Sequence, residues 1–207
     1  MSIGLQRRVK RAIDLTVALA ALALAAPLLA VLAVLIRVQL RTPAFFVQER
    51  TGASERPFRI YKLSTMTQER DADGDLLPDG VRCRGLGRLL RRFSIDELPQ
   101  LVNVIRGELS LVGPRPLLPR YDPWYTEHER QRFTVPPGIT GLAQINGRNG
   151  LAWNDRLALD AQYASTWSLL LDLSILARTA RKVIGGSGVA VDPSAEMFDL
   201  DLERQTS

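Results

Sequence analysis

Between Leu15 and Ile36 the chain reads LTVALAALALAAPLLAVLAVLI, 22 residues without a charge. At about 1.5 Å of rise per residue, a helix of this length traverses a hydrocarbon core of roughly 30 Å. A cleavable leader has a shorter apolar run ending at a small-residue cleavage site, whereas this run continues into RVQLR. Length alone favours a straight anchor. Two features favour a helix that enters and leaves by the same face. Arg7, Arg8, Lys10 and Arg11 precede the run and Arg37 and Arg41 follow it, so the positive-inside tendency draws both ends to the cytoplasm. Pro27 lies near the middle, where it removes a backbone hydrogen bond and crowds the preceding turn. The expectation is a re-entrant hairpin over residues 1–40, kinked at Pro27, with a cytoplasmic domain over 41–207. Asp14, just inside the apolar boundary beside Lys10 and Arg11, reads as a paired interfacial charge.

The whole chain has 207 residues, enough for one domain with an appendage. A formal charge of +5 admits a polyanionic partner: nucleic acid, phospholipid or a phosphorylated metabolite. The basic residues are spread along the chain rather than gathered in a stripe, which argues against nucleic acid. The single cysteine, Cys83, excludes an internal disulfide framework and reads as a bystander thiol. The single histidine, His128, leaves no ligand set for zinc and no partner for a His-centred hydrolase.

Beyond Arg41, TPAFFVQERTG reads as a short strand and turn, with Phe45 and Phe46 near the lipid boundary. RPFRIYKLSTM alternates apolar and polar residues through Phe58, Ile60 and Leu63, a second strand. Glu69 to Arg82 is a polar loop; its D-x-D-G-D run has its glycine too early for a calcium loop and no downstream glutamate. RGLGRLLRRFS reads as a short basic helix or turn. LVGPRPLLPRYDPW and VPPGITGLAQINGRNG carry proline and glycine too densely for helix or central strand. Helices follow around Trp153–Trp167 and Leu169–Ile184; the second sets Leu170, Leu173, Leu176 and Ala177 on one side, for the core or the membrane surface. The acidic tail FDLDLERQTS reads as loosely held. The fold class is α/β, mostly helical with a little β, on a monotopic membrane protein with interfacial amphipathic helices.

The chemistry centres on LRRFSIDELPQL, Leu90 to Leu101. Locally, Ser94 to Glu97 is a capping box before an apolar run through Leu98, Leu101, Val102 and Ile105, with Pro99 in the opening turn and Gly107 as the stop. A helix start also seats phosphate. The adjacent carboxylates Asp96 and Glu97 would repel a phosphate unless a divalent cation stood between them, and Mg²⁺ takes one or two carboxylates plus phosphate oxygens. Arginines lie nearby in sequence: Arg91 and Arg92 before the dyad, Arg115 between prolines in GPRP, and Arg148 in NGRN. A guanidinium whose backbone is fixed by prolines suits bidentate phosphate contact.

SIDELPQLVNVIRGELSLVGPRPLLPRY followed by PPGITGLAQINGRN resembles the signature of the bacterial sugar transferases, the small monotopic phosphoglycosyl transferases. The resemblance extends from VKRAIDL through VQERTG and FRIYKLSTM to LLLDLSILARTARKVI, nearly the whole chain. One departure is Ala26-Pro27, where the family usually has Ser-Pro at the kink. The resemblance implies transfer of a sugar phosphate from a UDP-sugar to polyprenol phosphate at the cytoplasmic face of the inner membrane, with release of UMP. It implies Asp96 as nucleophile, Mg²⁺ on Asp96 and Glu97, and Arg91, Arg115 and Arg148 on phosphate oxygens. Arg50, in QERTG, enters only as a motif position. Whether Glu97 is a metal ligand, a base or a cap stays open, and the alternative is a non-catalytic, membrane-tethered phospholipid-binding or scaffold module.

Overall fold

The computed structural model describes residues 3–147, 150–185 and 199–205. Its first element, α1 (Ile3–Gln39), is one helix that continues through Pro27. A stripe of Ala18, Leu22, Ala25, Leu29, Leu32 and Ile36, spaced alternately four and three apart, faces the protein. Ala18 packs in one cluster with Val104, Leu111, Val112 and Ile175, and Leu29, Leu32 and Ile36 pack in another with Leu63 and Leu90. Both halves of the helix, before and after Pro27, therefore rest on the same folded domain. Leu24, Val31, Val34 and Val38 point the other way, with Leu24 82% exposed.

The N-terminal charges of α1 are wired inward. Lys10 Nζ donates to Asp172 Oδ2 at 2.6 Å and to the Val112 carbonyl at 3.1 Å, and stands 4.0 Å from Asp14 Oδ2. Asp14 is buried and accepts from Ser110 Oγ at 2.7 Å. Its pairing with Lys10 is as expected; Arg11 has another task. Arg11 donates to the carbonyls of Val104 and Ile105, at 2.5 and 2.8 Å, and so caps the C-terminal end of a domain helix.

The two predicted strands form an antiparallel hairpin, β1 (Phe45–Thr51) on β2 (Pro57–Leu63), in register from Phe45 opposite Leu63 to Thr51 opposite Pro57. Phe45 and Phe46 are about half exposed at its open end, 49% and 47%. The polar loop after it contains α2 (Asp79–Arg82) and a turn in which Asp71 Oδ1 accepts from the N–H groups of Asp73 and Asp75. Next come α3 (Leu86–Arg92), a 3₁₀ turn over Ile95–Gln100, and α4 (Leu101–Arg106), ended by Gly107 at φ 84°. The last feature is the expected glycine stop, since only glycine adopts that conformation without a Cβ clash.

The proline- and glycine-dense spans are a correction. They contain β3 (Ser110–Val112) paired in parallel with β4 (Gly138–Thr140), followed by α5 (Leu142–Asn146). The glycines make this pairing possible: a Cβ on Gly138 would lie 2.1 Å from the Gly113 nitrogen, and one on Gly141 2.2 Å from the Gly113 carbonyl oxygen. Two backbones touch where side chains would ordinarily hold them apart.

α6 (Trp153–Thr166) and α7 (Leu169–Ile184) sit where periodicity places them. On α7 the predicted side is divided between its two expected settings: Leu176 packs against the core, and the leucines before it stay open. Ile175 and Asp172 are buried, while Leu170 and Leu173 are 79% and 59% exposed. Tyr163, Trp167 and Lys10 all hydrogen-bond the Asp172 carboxylate, and that polar anchor sets the rotation of the helix. The tail is also corrected: α8 (Leu200–Gln205) docks firmly. Leu200 is fully buried in a cluster with Tyr121, Tyr125, Phe133, Trp153 and Leu157, and Arg204 bonds both oxygens of Glu129, at 2.6 and 2.8 Å. Among the described residues the architecture is mostly helical with two small two-stranded sheets.

Candidate active site

Asp96 and Glu97 lie in the 3₁₀ turn between α3 and α4. The predicted capping box does not form. Ser94 takes a left-handed conformation, φ 54° and ψ 24°, and its side chain makes no capping bond. Glu97 turns away from the helix start instead. Its Oε1 accepts from Lys62 Nζ at 2.9 Å and from Arg115 Nη2 at 2.8 Å. A neutral cap bond contributes about 1 kcal/mol, and two charge-assisted bonds to one carboxylate outweigh it.

The neighbouring carboxylates thereby acquire opposite characters. Burial pushes the Glu97 carboxyl up, but Arg115 and Lys62 overcome that and hold it well below the usual carboxylate range. Asp96 is 8% exposed, and among the described residues nothing hydrogen-bonds or ion-pairs with its carboxylate. Burial first, and the charge of Glu97 second, push the Asp96 carboxyl up to about 6, against the pull of Lys62, Arg91 and Arg115. One carboxylate is locked; the other is buried, anionic at neutral pH and uncommitted. Environments that drive two carboxyls apart assign them different work.

The arginines arrive from three directions. Arg91, at the end of α3, donates from Nε to Thr65 Oγ1 at 2.8 Å. α3 leans close enough for this because Gly87 rests on the Thr65 carbonyl, where a Cβ would come within 1.9 Å. Arg50, on β1, donates to Gln48 Oε1 at 2.6 Å, while its Nε is buried without a partner. Burial, and then the Arg115 charge, push the Arg50 guanidinium down to about 10. Arg115 sits in the loop that Gly138 N–H tethers through the Pro114 carbonyl at 2.9 Å. Arg148 lies outside the described residues. Pro27 lies within the span of α1 that rests on the domain beside this site: Leu29, Leu32 and Ile36 share a cluster with Ile95 and Leu98, which flank the dyad.

Over residues 5–186 the chain matches the family described as "Bacterial sugar transferase". The chain belongs to that family. This sugar transferase is 51% identical over 180 residues to the "Uncharacterized sugar transferase EpsL" of Bacillus subtilis (strain 168), covering 87% of this chain and 89% of that one. It is 41% identical over 190 residues to the "UDP-glucose:undecaprenyl-phosphate glucose-1-phosphate transferase" of Caulobacter vibrioides, covering 84% and 69%. It is 37% identical over 192 residues to the "UDP-N-acetylgalactosamine-undecaprenyl-phosphate N-acetylgalactosaminephosphotransferase" of Aeromonas hydrophila, covering 87% of this chain and 44% of that one.

The structure of this sugar transferase adds residues that sequence reading passed over. Lys62 falls on the strand face that Phe58 and Ile60 share, whereas Arg59 falls on the other, so a charge at 62 called for a partner. Arg156 is 8% exposed, lies 4.5 Å over the Trp153 ring, and is pushed down by burial and by the Arg115 charge. Asp160 and Arg132 form a buried pair behind Arg115. A signal existed for Arg156 and Asp160 as well. They fall on the same helical stripe as Trp153 and Leu157, and a charge on the apolar face of a helix calls for a partner.

Proposed function

We propose that this transferase moves a sugar 1-phosphate from a UDP-sugar to polyprenol phosphate through an intermediate on Asp96. Asp96 attacks the sugar-bound phosphorus, a new P–O bond forms to the carboxylate, and the bond to the nucleotide phosphate breaks to release UMP. An oxygen of polyprenol phosphate then attacks the same phosphorus. Asp96 is regenerated, and the product is a polyprenyl diphosphate sugar.

The observation that carries this reading is the division within the dyad. A nucleophilic carboxylate has to be ionised yet not tied up by protein donors, and among the described residues Asp96 is the member of the pair that meets both conditions. Glu97, whose Oε1 accepts from both Lys62 and Arg115, holds those cations beside it. Among the described residues, cations outnumber anions around the dyad: Lys62, Arg50, Arg91 and Arg115 act on Asp96 and Glu97. A diphosphate would neutralise the surplus.

Among the described residues no three His, Cys, Asp or Glu side chains gather to cage a metal. The dyad alone fits Mg²⁺, which is commonly held by one or two carboxylates and completes its shell with water and phosphate oxygens. Asp96 and the second oxygen of Glu97 would hold it, and its charge would neutralise the diphosphate.

The names of the relatives support the acceptor: two of them carry undecaprenyl phosphate and differ in the sugar. α1 supports a monotopic seat on the cytoplasmic face of the inner membrane. A helix whose two halves rest on one polar domain, with Leu24 and Val34 turned outward, suits a re-entrant dip into one leaflet better than a perpendicular crossing. There it would hold Asp96 at headgroup depth, for the first membrane step of a bacterial glycoconjugate such as an exopolysaccharide. Stoichiometric enzyme mixed with UDP-sugar and Mg²⁺, without acceptor, should release a burst of UMP and leave a sugar phosphate on the peptide containing Asp96, read by mass spectrometry. UMP release that strictly requires acceptor would refute the covalent scheme.

A further inference from the structure

Behind the Arg115 loop lies an ion pair that the transfer scheme leaves unused. Arg132 and Asp160 are 3% and 1% exposed, and Arg132 Nη2 stands 2.9 Å from Asp160 Oδ2. The same nitrogen donates to the carbonyl of Arg115, and Nη1 donates to the Tyr125 hydroxyl at 3.2 Å. The guanidinium lies 5.4 Å from the ring centres of both Tyr125 and Phe133. Asp160 is on α6, whereas Arg132 is in the 3₁₀ turn Glu129–Thr134, so the pair joins two elements to a third.

Stability does not account for such a pair. The desolvation of two buried charges about cancels their attraction, and apolar side chains of equal volume do as well or better. What apolar side chains cannot supply is a donor to the Arg115 carbonyl. The loop needs one, because Pro114 and Pro116 have no N–H and the segment can be tied down mainly through its carbonyls. Gly138 takes the Pro114 carbonyl and Arg132 takes the next one.

We propose that Asp160 and Arg132 are positioning residues for Arg115, an inference that rests on Arg115 meeting the donor phosphates as described above. Asp160 orients Arg132, Arg132 fixes the Arg115 backbone, and the Arg115 guanidinium then reaches Glu97 at 2.8 Å beside Asp96. Neither positioning residue touches substrate. Their loss should be felt in use of the donor and not in use of the acceptor.

The test is a cycle of four proteins, wild type, Asp160→Asn, Arg115→Ala and the double variant, assayed for UMP release with UDP-sugar and polyprenol phosphate varied separately. Asp160→Asn is expected to lower kcat/KM for the donor about tenfold, to leave KM for the acceptor within about twofold, and to add nothing once Arg115 is alanine. The same fold-loss in both backgrounds would mean a general structural role and overturn the inference. Arg132→Met/Asp160→Leu guards against unfolding: it should melt within a few degrees of wild type, as swaps of buried pairs do, and lose the same factor in donor use. Wild-type donor use by that variant would also overturn it. If Arg115→Ala is fully active there is nothing to position, and the inference falls alone. If wild type releases no UMP from any UDP-sugar, the transfer reading falls with it.

Discussion

Lys62 Nζ lies 2.9 Å from Glu97 Oε1, so the hairpin and the 3₁₀ turn that carries the dyad meet in one ion pair. Arg115 reaches the same oxygen, which makes Glu97 the hub on which two cations are hung beside Asp96. Removing the hub should cost more than removing either spoke. Glu97→Gln is expected to lower kcat/KM by about two orders of magnitude, as loss of one member of a buried charged set does, and Lys62→Met by about tenfold. Rates of UMP release check the order; equal losses would contradict it.

Asp96→Asn should eliminate turnover and the covalent adduct while making the fold more robust. The carboxylate is buried and, among the described residues, without a hydrogen bond, so the native state bears an uncompensated desolvation cost that asparagine does not. Calorimetry in EDTA at neutral pH should show a melting temperature higher by a few degrees. A fall in melting temperature would show that Asp96 has a structural partner.

The docking of α8 should be acid-sensitive. Burial pushes the Glu129 and Asp199 carboxyls up, but bonds from Arg204 and Thr126 to the first, and from Tyr121 and Arg120 to the second, leave both below their usual values. For a carboxyl lowered in the folded state, the stability gained is complete above the unfolded value, about 4 for these groups, and disappears as pH falls through the folded one. Hydrogen exchange over residues 199–205 should therefore stay slow from pH 7 to 5 and accelerate below 4 beyond the intrinsic rate. Arg204→Ala should be fast throughout.

Membrane attachment should depend on the outer face of α1 and folding on its inner face. Leu24→Lys places a charge where the side chain is 82% exposed, at a cost of about 3 kcal/mol in lipid, and should raise the fraction released by carbonate washing. Ala18→Lys, at a position with no exposure, should fail to fold. In a Cys83→Ser background, cysteines at Arg7 and Arg41 should both react with an impermeant reagent in inverted vesicles and neither in intact cells. Labelling of the two from opposite sides would establish a straight crossing.

Much of this fold was written in local patterns. The apolar run, the alternation of Phe58, Ile60 and Leu63, the periodicity after Trp153 and the stop at Gly107 each lie within a few residues of what they specify. The misreadings share one cause. Ser94 and Glu97 matched a capping box, but the partners that claim Glu97 are Lys62, 35 residues earlier, and Arg115, 18 later. β3 and β4 escaped notice because three-residue strands carry no period, and bare glycine backbone holds them together. α8 depends on Leu200 finding an aromatic cluster assembled from Leu117 through Leu157.

The order of residues was enough to place an apolar helix, flanked by basic residues, ahead of a polar domain, and two carboxylates side by side among arginines. Packing then settled which carboxylate is bound, Glu97, and which is without a hydrogen-bond partner among the described residues, Asp96. Side-chain type and spacing act over one or two helical turns, whereas the state of a buried charge is set by whatever the whole chain packs around it.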